Sequence, residues 1–327
     1  MTEISAPEKA QNDERGKAPQ APRPKKRDVH GWLILDKPVG MTSTHAVAIV
    51  KRVFRAKKAG HAGTLDPLAS GCLPIALGEA TKTVPYVMDG KKAYRFTVTW
   101  GVETTTDDTE GTAQQTSDKR PGRAEVEALL PRFTGAVMQV PPKFSAIKID
   151  GERAYDLARD GEEVTLEARE VLIDSLDIVA HDDNTTTLEA ACGKGTYVRA
   201  IARDLGRALG CFGHVTALRR TRVGPFREEE FVAAEELQAT FEDAAEQEAH
   251  VADLLAPVDR GLTELPDINV SRHDATRLKR GQGVILRGRD APGETGHVAI
   301  HCGHELIAIA EMEKGELRPH RVFNLTA

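Results

Sequence analysis

Asp66 is the residue of this 327-residue chain whose surroundings best suit a chemical reaction. It lies in GHAGTLDPLASG, residues 60–71, after glycines, a histidine and a threonine and before a proline. A carboxylate in such a turn can act as a nucleophile or a general base when water is excluded. Aspartate before proline is also a common turn former, so this stretch alone favours a structural role.

Three further side chains could assist a carboxylate, although their local patterns leave other interpretations open. Tyr94 begins the alternating stretch YRFTVTWG, where a core aromatic is the ordinary interpretation. Tyr197 and Arg199 follow the glycine-rich turn GKGT, which can aim side chains at a site, but an ordinary surface arginine fits equally well. Leu218 is a core residue by its pattern.

Motifs for cofactors and metals are missing from the sequence. The stretch CGKGTYVR, residues 192–199, lacks the first glycine and the spacing of a phosphate-binding loop, and it contains no G-x-G-x-x-G. The eleven histidines form no H-E-x-x-H pattern, and the four cysteines form no C-x-x-C pair. We therefore expect free thiols, no metal and no cofactor.

Charge is distributed unevenly along the chain, which carries a formal net charge of −6. Residues 228–256 contain ten acidic side chains and no lysine or arginine, so the remaining chain carries +4. A mildly basic remainder permits a polyanionic partner without demanding one.

The sequence has no apolar run of about 18 residues that could span a membrane. Residues 1–30 also lack the hydrophobic core of a signal peptide, so we expect a cytoplasmic protein without a membrane partner. Residues 1–29 hold four prolines and seven lysines or arginines with few large apolar side chains, which predicts a disordered tail.

Hydrophobic periodicity predicts the elements that position these residues. A buried strand at Trp32–Leu35 precedes a helix that begins near Thr42 and ends near Phe54. The remaining predictions are strands at 94–101, 171–180, 186–192 and 214–223 and helices at 123–134 and 198–209.

Strands outnumber helices without regular alternation, which favours an α+β fold on a mixed, mostly antiparallel sheet. We place this catalytic domain at residues 30–227 and an acidic helical connector at 228–264. Short strand-like runs separated by glycines predict a small β-rich domain at 265–327.

Five blocks occur in a defined order: GWLILDKPVGMTS, GHAGTLDPLASGCLPIALGEATK, KAYRFTVTWG, PPKFSAIKIDGERAYDLARDG, and GKGTYVRAIARDLGRALG followed by HVTALRRTRVGPF. Together they resemble the motif series of the bacterial tRNA pseudouridine-55 synthases. The resemblance spans residues 31–226, about sixty per cent of the chain, and five ordered blocks are more specific than any single motif. It implies the pseudouridine synthase fold, and the C-terminal part resembles the PUA-like RNA-binding module of that family.

The resemblance assigns roles to the candidate residues. Asp66 matches the essential catalytic aspartate, His61 the histidine placed against the flipped-out nucleotide, and Tyr94 the tyrosine that stacks on the target base. Tyr197 and Arg199 match a pocket tyrosine and the arginine that pairs with the aspartate, and Leu218 matches an apolar residue of the uracil pocket. These six residues form the candidate site.

The family also implies contacts to RNA. The block PPKFSAIKIDGERAYDLARDG resembles an RNA-gripping insertion around residues 141–162, with basic side chains at Lys143, Lys148, Arg153 and Arg159. Arg220 in LRRTR adds a candidate RNA contact near the pocket. Phe144 departs from relatives that often carry tyrosine, which changes only a possible hydroxyl contact.

The implied reaction detaches uracil from ribose at N1 and rejoins it through C5, so it needs no redox step and no energy input. The target base must first leave its stack, at a cost of a few kcal/mol. Because burial disfavours an ionised carboxylate, a cation must offset the loss of water, and Arg199 is the expected partner.

We therefore expect a monomeric tRNA pseudouridine synthase that acts on uridine 55 in the T-arm. Two alternatives remain: a synthase that acts on another RNA or is guided by an RNA-protein particle, and a non-catalytic RNA-binding or RNA-folding protein of the same fold. The bacterial-type insertion argues against a guided enzyme. The presence of Asp66, Tyr94 and Arg199 argues against a pure binder.

Overall fold

The structure is a computed structural model that describes residues 25–145, 148–149, 152–153, 166–238, 244–286 and 295–325. Its strands in chain order are β1 (Gly31–Lys37), β2 (Ala59–His61), β3 (Ala69–Leu77), β4 (Lys92–Trp100), β5 (Val102–Thr104), β6 (Ala113–Thr116), β7 (Gly135–Gln139), β8 (Lys148–Ile149), β9 (Glu152–Arg153), β10 (Arg169–His181), β11 (Thr185–Cys192), β12 (Gly213–Val223), β13 (Phe226–Arg227), β14 (Val232–Ala233), β15 (Asp267–Asn269), β16 (Val284–Ile285), β17 (Gly296–Cys302), β18 (Glu305–Glu313) and β19 (Glu316–Val322). The α-helices are α1 (Ser43–Val53), α2 (Val84–Asp89), α3 (Arg123–Leu129), α4 (Val198–Leu209), α5 (Ala244–Asp253) and α6 (Arg272–Lys279).

Ten strands form one large sheet with the order β14-β1-β3-β12-β4-β11-β10-β7, to which β2 adds beside β3 and β13 beside β12. Among the described strands of this sheet, only β1 with β14 and β3 with β12 pair in parallel. The predicted α+β class with a mixed, mostly antiparallel sheet is therefore confirmed. The parallel pair places Ala69, at the start of β3, beside Leu218 in β12.

The large sheet is covered on both faces at its β1–β3 end. Leu33 and Leu35 of β1 face a core that also contains Val50 of α1, whereas Trp32 and Ile34 face a second core. This alternation follows from the period-two geometry of a strand. Helices α1, α3 and α4 all contribute buried side chains to the first core.

The second core joins the large sheet to a five-stranded C-terminal sheet of order β15-β17-β18-β19-β16. Leu306, Ile309 and Phe323 of the C-terminal part pack in the same cluster as Trp32 and Phe226. A β-rich unit therefore follows residue 265, and it shares apolar packing with the rest of the chain.

The predicted helix at 198–209 is confirmed, because α4 begins at Val198 and ends at Leu209. Gly210 follows in the left-handed conformation, which ends the helix. The acidic segment contributes α5, but it also adds β14 to the large sheet and Leu237 and Val251 to the first core. Residues 1–24 lie outside the described residues, whereas Arg27 forms a parallel bridge with Ala56. The domain boundaries stay predictions.

No helix in the described part of the chain is long and apolar enough to cross a membrane.

Candidate functional site

Asp66 lies in the loop between β2 and β3, and buried side chains hold the backbone on both sides of it. The Ser43 hydroxyl at the start of α1 donates to the Leu65 carbonyl at 3.0 Å and accepts from the Leu65 amide at 2.9 Å. Arg220 donates to the Thr64 and Gly63 carbonyls, each at 3.1 Å. Gly63 has φ +98°, a conformation that glycine adopts without strain.

The carbonyls after Leu65 are also satisfied. The Ala69 amide donates to the Asp66 carbonyl at 3.0 Å, and the Gly40 amide donates to the Pro67 carbonyl at 2.7 Å. Every backbone carbonyl from residue 63 to residue 67 thus accepts a hydrogen bond from this chain. The loop presents the Asp66 side chain from a fixed backbone.

The Asp66 carboxylate pairs with Arg199, whose Nη2 lies 2.9 Å from Asp66 Oδ2. Arg199 is the second residue of α4, and its side chain is 8% exposed, whereas that of Asp66 is 39% exposed. The carboxylate therefore faces an opening while its cation is buried. The buried guanidinium thus places its charge directly against an accessible carboxylate.

Arg199 is itself held by groups on two other segments. Its Nη1 donates to Asp108 Oδ2 at 3.1 Å and to the Thr106 carbonyl at 3.0 Å, and its Nη2 donates to the Phe144 carbonyl at 2.9 Å. Asp108 is almost fully buried. One guanidinium thus joins two carboxylates, which fixes its plane relative to Asp66.

Two more arginines of α4 continue this pairing at four-residue spacing. Arg203 Nη1 lies 3.1 Å from Asp107 Oδ2, and Arg207 Nη2 lies 2.6 Å from Glu103 Oε1. Side chains four residues apart share one face of a helix, so α4 binds the carboxylates of residues 103–108 along its length. Burial raises the pKa of Asp107 to about 6, although Arg203 opposes the shift.

Lys37 adds a second buried cation near the aspartate. Its Nζ donates to the Met41 carbonyl at 2.8 Å and to the Pro38 carbonyl at 3.0 Å. Burial lowers the pKa of Lys37 to about 8, while the charge of Asp66 opposes that change and Arg220 adds to it. Lys37 therefore holds the loop after β1 and contributes positive charge beside Asp66.

Tyr94 lies in β4, in register with Arg220 of β12, and it packs against the first core. Burial raises the pKa of Tyr94, and the nearby Arg220 opposes this shift. The phenol is therefore neutral at physiological pH. Leu218, two residues before Arg220 and 8% exposed, lies on the same face of β12 and pairs in register with Phe96.

Tyr197 immediately precedes α4 and is fixed by Gln139 of β7. The Tyr197 amide donates to Gln139 Oε1 at 2.8 Å, and Gln139 Nε2 donates to the Tyr197 carbonyl at 3.1 Å. Burial raises the pKa of Tyr197, Ser145 opposes that change, and the charge of Asp66 adds to it. Its side chain therefore lies within electrostatic reach of Asp66.

His61 is the last residue of β2, five residues before Asp66, and it is half-buried. Burial lowers the pKa of its imidazole, and the Arg220 charge lowers it further. A neutral ring suits stacking or propping against a base better than ionic contact with a phosphate. His61 Nδ1 is buried and has no hydrogen-bond partner in the described part of the chain.

The predicted RNA-contact residues are placed unevenly. Lys143 is exposed beside Phe144, whose carbonyl Arg199 binds. Lys148 and Arg153 pair in register between β8 and β9, while Arg159 lies outside the described residues. Arg220 is 3% exposed and donates to the Thr64 and Gly63 carbonyls before Asp66, which favours a positioning role over phosphate contact.

Sequence reasoning did not find four positioning residues: Lys37, Ser43, Asp108 and Gln139. Lys37 carried a usable signal, since it closely follows the apolar run Trp32–Leu35 and burying a lysine costs free energy unless its charge is compensated. Arg220 was predicted as an RNA contact, and period two puts it on the face of Leu218. Asp108 and Gln139 had no local signal.

The assembled site offers a carboxylate with a buried cation, two neutral phenols and an apolar side chain. No group of three or more histidine, cysteine, aspartate or glutamate residues in the described ranges could hold a metal ion. Such a site can bind a planar apolar-faced ring and apply one negative charge to it, which suits nucleophilic or acid–base chemistry.

Two family models match the chain. Residues 51–198 match the TruB family pseudouridylate synthase N-terminal domain, and residues 199–263 match the tRNA pseudouridylate synthase B C-terminal domain. The chain is 62% identical over 316 residues to a tRNA pseudouridine synthase B of Rhodopseudomonas palustris, covering 96% of this chain and 86% of that protein. A protein of the same name from Bradyrhizobium diazoefficiens is 58% identical, with 98% and 94% covered.

Solved structures share the fold. A chain of a Cbf5-Nop10-Gar1 complex superposes with a TM-score of 0.70 at 25% identity, covering 90% of this chain and 85% of that chain. A chain of an archaeal box H/ACA sRNP Nop10-Cbf5 complex gives a TM-score of 0.69 at 25% identity, with 90% and 86% covered. The fold, the motif blocks and the relatives agree, and the chain belongs to the TruB family of pseudouridylate synthases.

Proposed function

We propose that this pseudouridine synthase isomerises uridine 55 in the T-loop of tRNA, with Asp66 as its catalytic residue. The observation that carries the proposal is the 2.9 Å pair between Asp66 and Arg199 at the opening of the site. The names of the highly similar relatives support tRNA as the substrate class.

The residues of the site have different roles in the reaction. Asp66 acts on the flipped nucleotide as nucleophile or as the base that starts elimination, and the N1–C1′ bond breaks. The freed uracil turns within the pocket of Tyr94, Tyr197 and Leu218 and rejoins C1′ through C5. The C5 proton leaves and N1 gains a proton, so the atoms of substrate and product balance without a co-reactant.

Arg199 places a buried positive charge 2.9 Å from the Asp66 carboxylate, and the fixed backbone of the loop keeps that carboxylate in one place. The neutral imidazole of His61 supports the stacked RNA bases after the target base has left the stack. Because the reacting base must leave folded RNA, substrate affinity has to come from backbone contacts outside the pocket.

The guided alternative has less support. The chains from Cbf5 complexes are 25% identical to this chain, whereas proteins named tRNA pseudouridine synthase B reach 62%. A synthase that works on tRNA without a guide is therefore the better proposal. The monomeric state and the cytoplasmic location stay predictions.

The test is to incubate the purified protein with an unmodified tRNA transcript and to map pseudouridine at single-nucleotide resolution. We expect one pseudouridine, at position 55, and none in a matched transcript that carries cytidine there. Modification confined to other positions, or to another class of RNA, would overturn the assignment of uridine 55.

A further inference from the structure

Two stretches of the chain are densely basic and have no role in the site described above. Residues 25–28 and 51–58 contain eight lysines or arginines and a single carboxylate, Asp28, although the whole chain carries a net charge of −6. Such a local excess of positive charge on a protein with a negative net charge needs an explanation.

The structure joins these two stretches into one surface. Arg27 forms a parallel bridge with Ala56, with its amide donating to the Arg55 carbonyl at 2.8 Å. The Lys57 amide donates to the Arg27 carbonyl at 3.1 Å, and Lys57 Nζ pairs with Asp28 at 2.5 Å. The N-terminal arm is thus docked on the turn that follows α1.

Four of these eight charges face solvent without a carboxylate partner among the described residues. Lys25, Lys26, Arg52 and Lys58 are exposed, and no carboxylate of the described residues pairs with them. The Gly78 amide donates to the Lys58 carbonyl, so the next residue, Glu79, lies near these cations. The Glu79 carboxylate, however, pairs with Lys82 at 2.6 Å. The positive charge is therefore available to an external anion.

The packing of helix α1 does not depend on this cluster. Helix α1 is held by its buried face, with Ala46 and Val50 in the core. Basic residues in the last helical turn favour the helix dipole, which accounts for Lys51 and Arg52. The helix dipole does not explain Lys57 and Lys58, because both residues lie beyond the end of the helix. Clustered like charges also repel one another.

The cluster is close to the catalytic loop but outside the pocket. Ser43, at the start of α1, bonds Leu65 beside Asp66, and the helix then extends ten residues, or about 15 Å, toward the cluster. Lys58 lies three residues before His61, about 10 Å along an extended chain. A flipped nucleotide in the pocket would not touch these cations, but the phosphates on either side of it could.

We propose that residues 25–28 and 51–58 form one phosphate-binding surface, the basic ridge, which grips the RNA backbone beside the target uridine. This inference rests on the proposed function and identifies where affinity arises outside the pocket. The partner is the sugar–phosphate backbone of the substrate, bound without regard to base sequence.

The test compares two double variants in binding to unmodified tRNA across a salt series. Arg52→Gln with Lys58→Gln removes two ridge charges. Lys91→Gln with Arg95→Gln removes two exposed cations that already pair with Asp174 and Glu189, so it matches the change in charge. We expect the ridge variant to raise Kd about tenfold and to lower the slope of log Kd against log salt by between about 1 and 2.

The control variant should bind like the wild type. Equal Kd values and equal salt slopes for both double variants would overturn the ridge, provided the wild type still forms pseudouridine in the same transcript. Failure of the proposed function is distinguishable, because the wild type itself would then leave the transcript unmodified. A second pair, Lys25→Gln with Lys26→Gln, tests the arm, and an unchanged Kd for it would remove residues 25–28 from the surface.

Discussion

Arg199 holds two carboxylates, Asp66 and Asp108, and its other donors reach backbone carbonyls. A lysine could supply the charge but not this number of directed donors. The position of the guanidinium is therefore set by three segments of the chain that meet only in the folded state. Its chemistry depends on that geometry as much as on its charge.

Replacing Arg199 with methionine should lower the single-turnover rate by roughly 100-fold to 10,000-fold, because Asp66 and Asp108 would lose their shared cation. Arg199→Lys should recover part of the rate by restoring charge without the separate guanidinium nitrogens that reach Asp66 and Asp108. Rapid-quench measurement of pseudouridine formation checks both variants. A near-wild-type rate for the methionine variant would remove the pair from the mechanism.

Among the elements, the loop between β2 and β3 depends on side chains from elsewhere in the chain. Ser43 binds the amide and the carbonyl of Leu65, one residue before Asp66. The neighbouring Thr42 instead accepts from the His45 amide and caps α1. These adjacent hydroxyls thus separate loop positioning from helix stability.

Ser43→Ala should lower kcat about tenfold with little change in KM, because the loop loses both hydrogen bonds to Leu65. Thr42→Ala should cost about 1 kcal/mol of unfolding free energy through the lost cap, with kcat unchanged. Steady-state kinetics and thermal unfolding of both variants provide the comparison. Equal losses of kcat in the two variants would show that Ser43 acts through general stability alone.

The ion pairs along α4 predict a pH dependence. Burial raises the pKa of Asp107 to about 6, above its ordinary value of 3.8, so the folded state binds this proton more tightly than the unfolded state. The unfolding free energy should therefore fall as pH rises from about 4 to about 6, by up to about 3 kcal/mol from this group.

Asp107→Asn should abolish that contribution, and asparagine tolerates the φ of +62° found at this position. Urea unfolding at several pH values between 4 and 6.5 gives the difference between wild type and variant. A difference that does not change with pH would contradict the assignment to Asp107.

Much of this fold could be predicted from the sequence because the periodic signals are local, whereas the roles of the candidate site residues came from the resemblance of the ordered motif blocks. Helix α4 shows a clear helical period and ends at a left-handed glycine, and β4 alternates strictly. Strand β3 went unrecognised because it is buried on both faces and does not alternate. The pairing of Arg199 with Asp108 joins residues 91 apart, and only the folded chain brings them together.

On the scale of the whole molecule, the C-terminal sheet is packed against the large sheet through a shared core. Ile309 is fully buried in the cluster that also holds Trp32. A shared apolar core couples the unfolding of the two parts.

Ile309→Ala should therefore lower the unfolding free energy by about 2 to 5 kcal/mol while the chain keeps a single transition. Ile285→Ala, in the same sheet but 59% exposed, should change it by less than about 0.5 kcal/mol. Differential scanning calorimetry checks both, and a separate early transition in the Ile309 variant would contradict the coupling.

The central claim is that Asp66 performs the chemistry on the flipped uridine. Tritium release from C5-labelled uridine in unmodified tRNA, with enzyme in excess, measures that step directly. The wild type should release one tritium per tRNA, and Asp66→Asn should release none while its Kd for tRNA stays within about tenfold. Tritium release by Asp66→Asn at a rate close to that of the wild type would contradict the account.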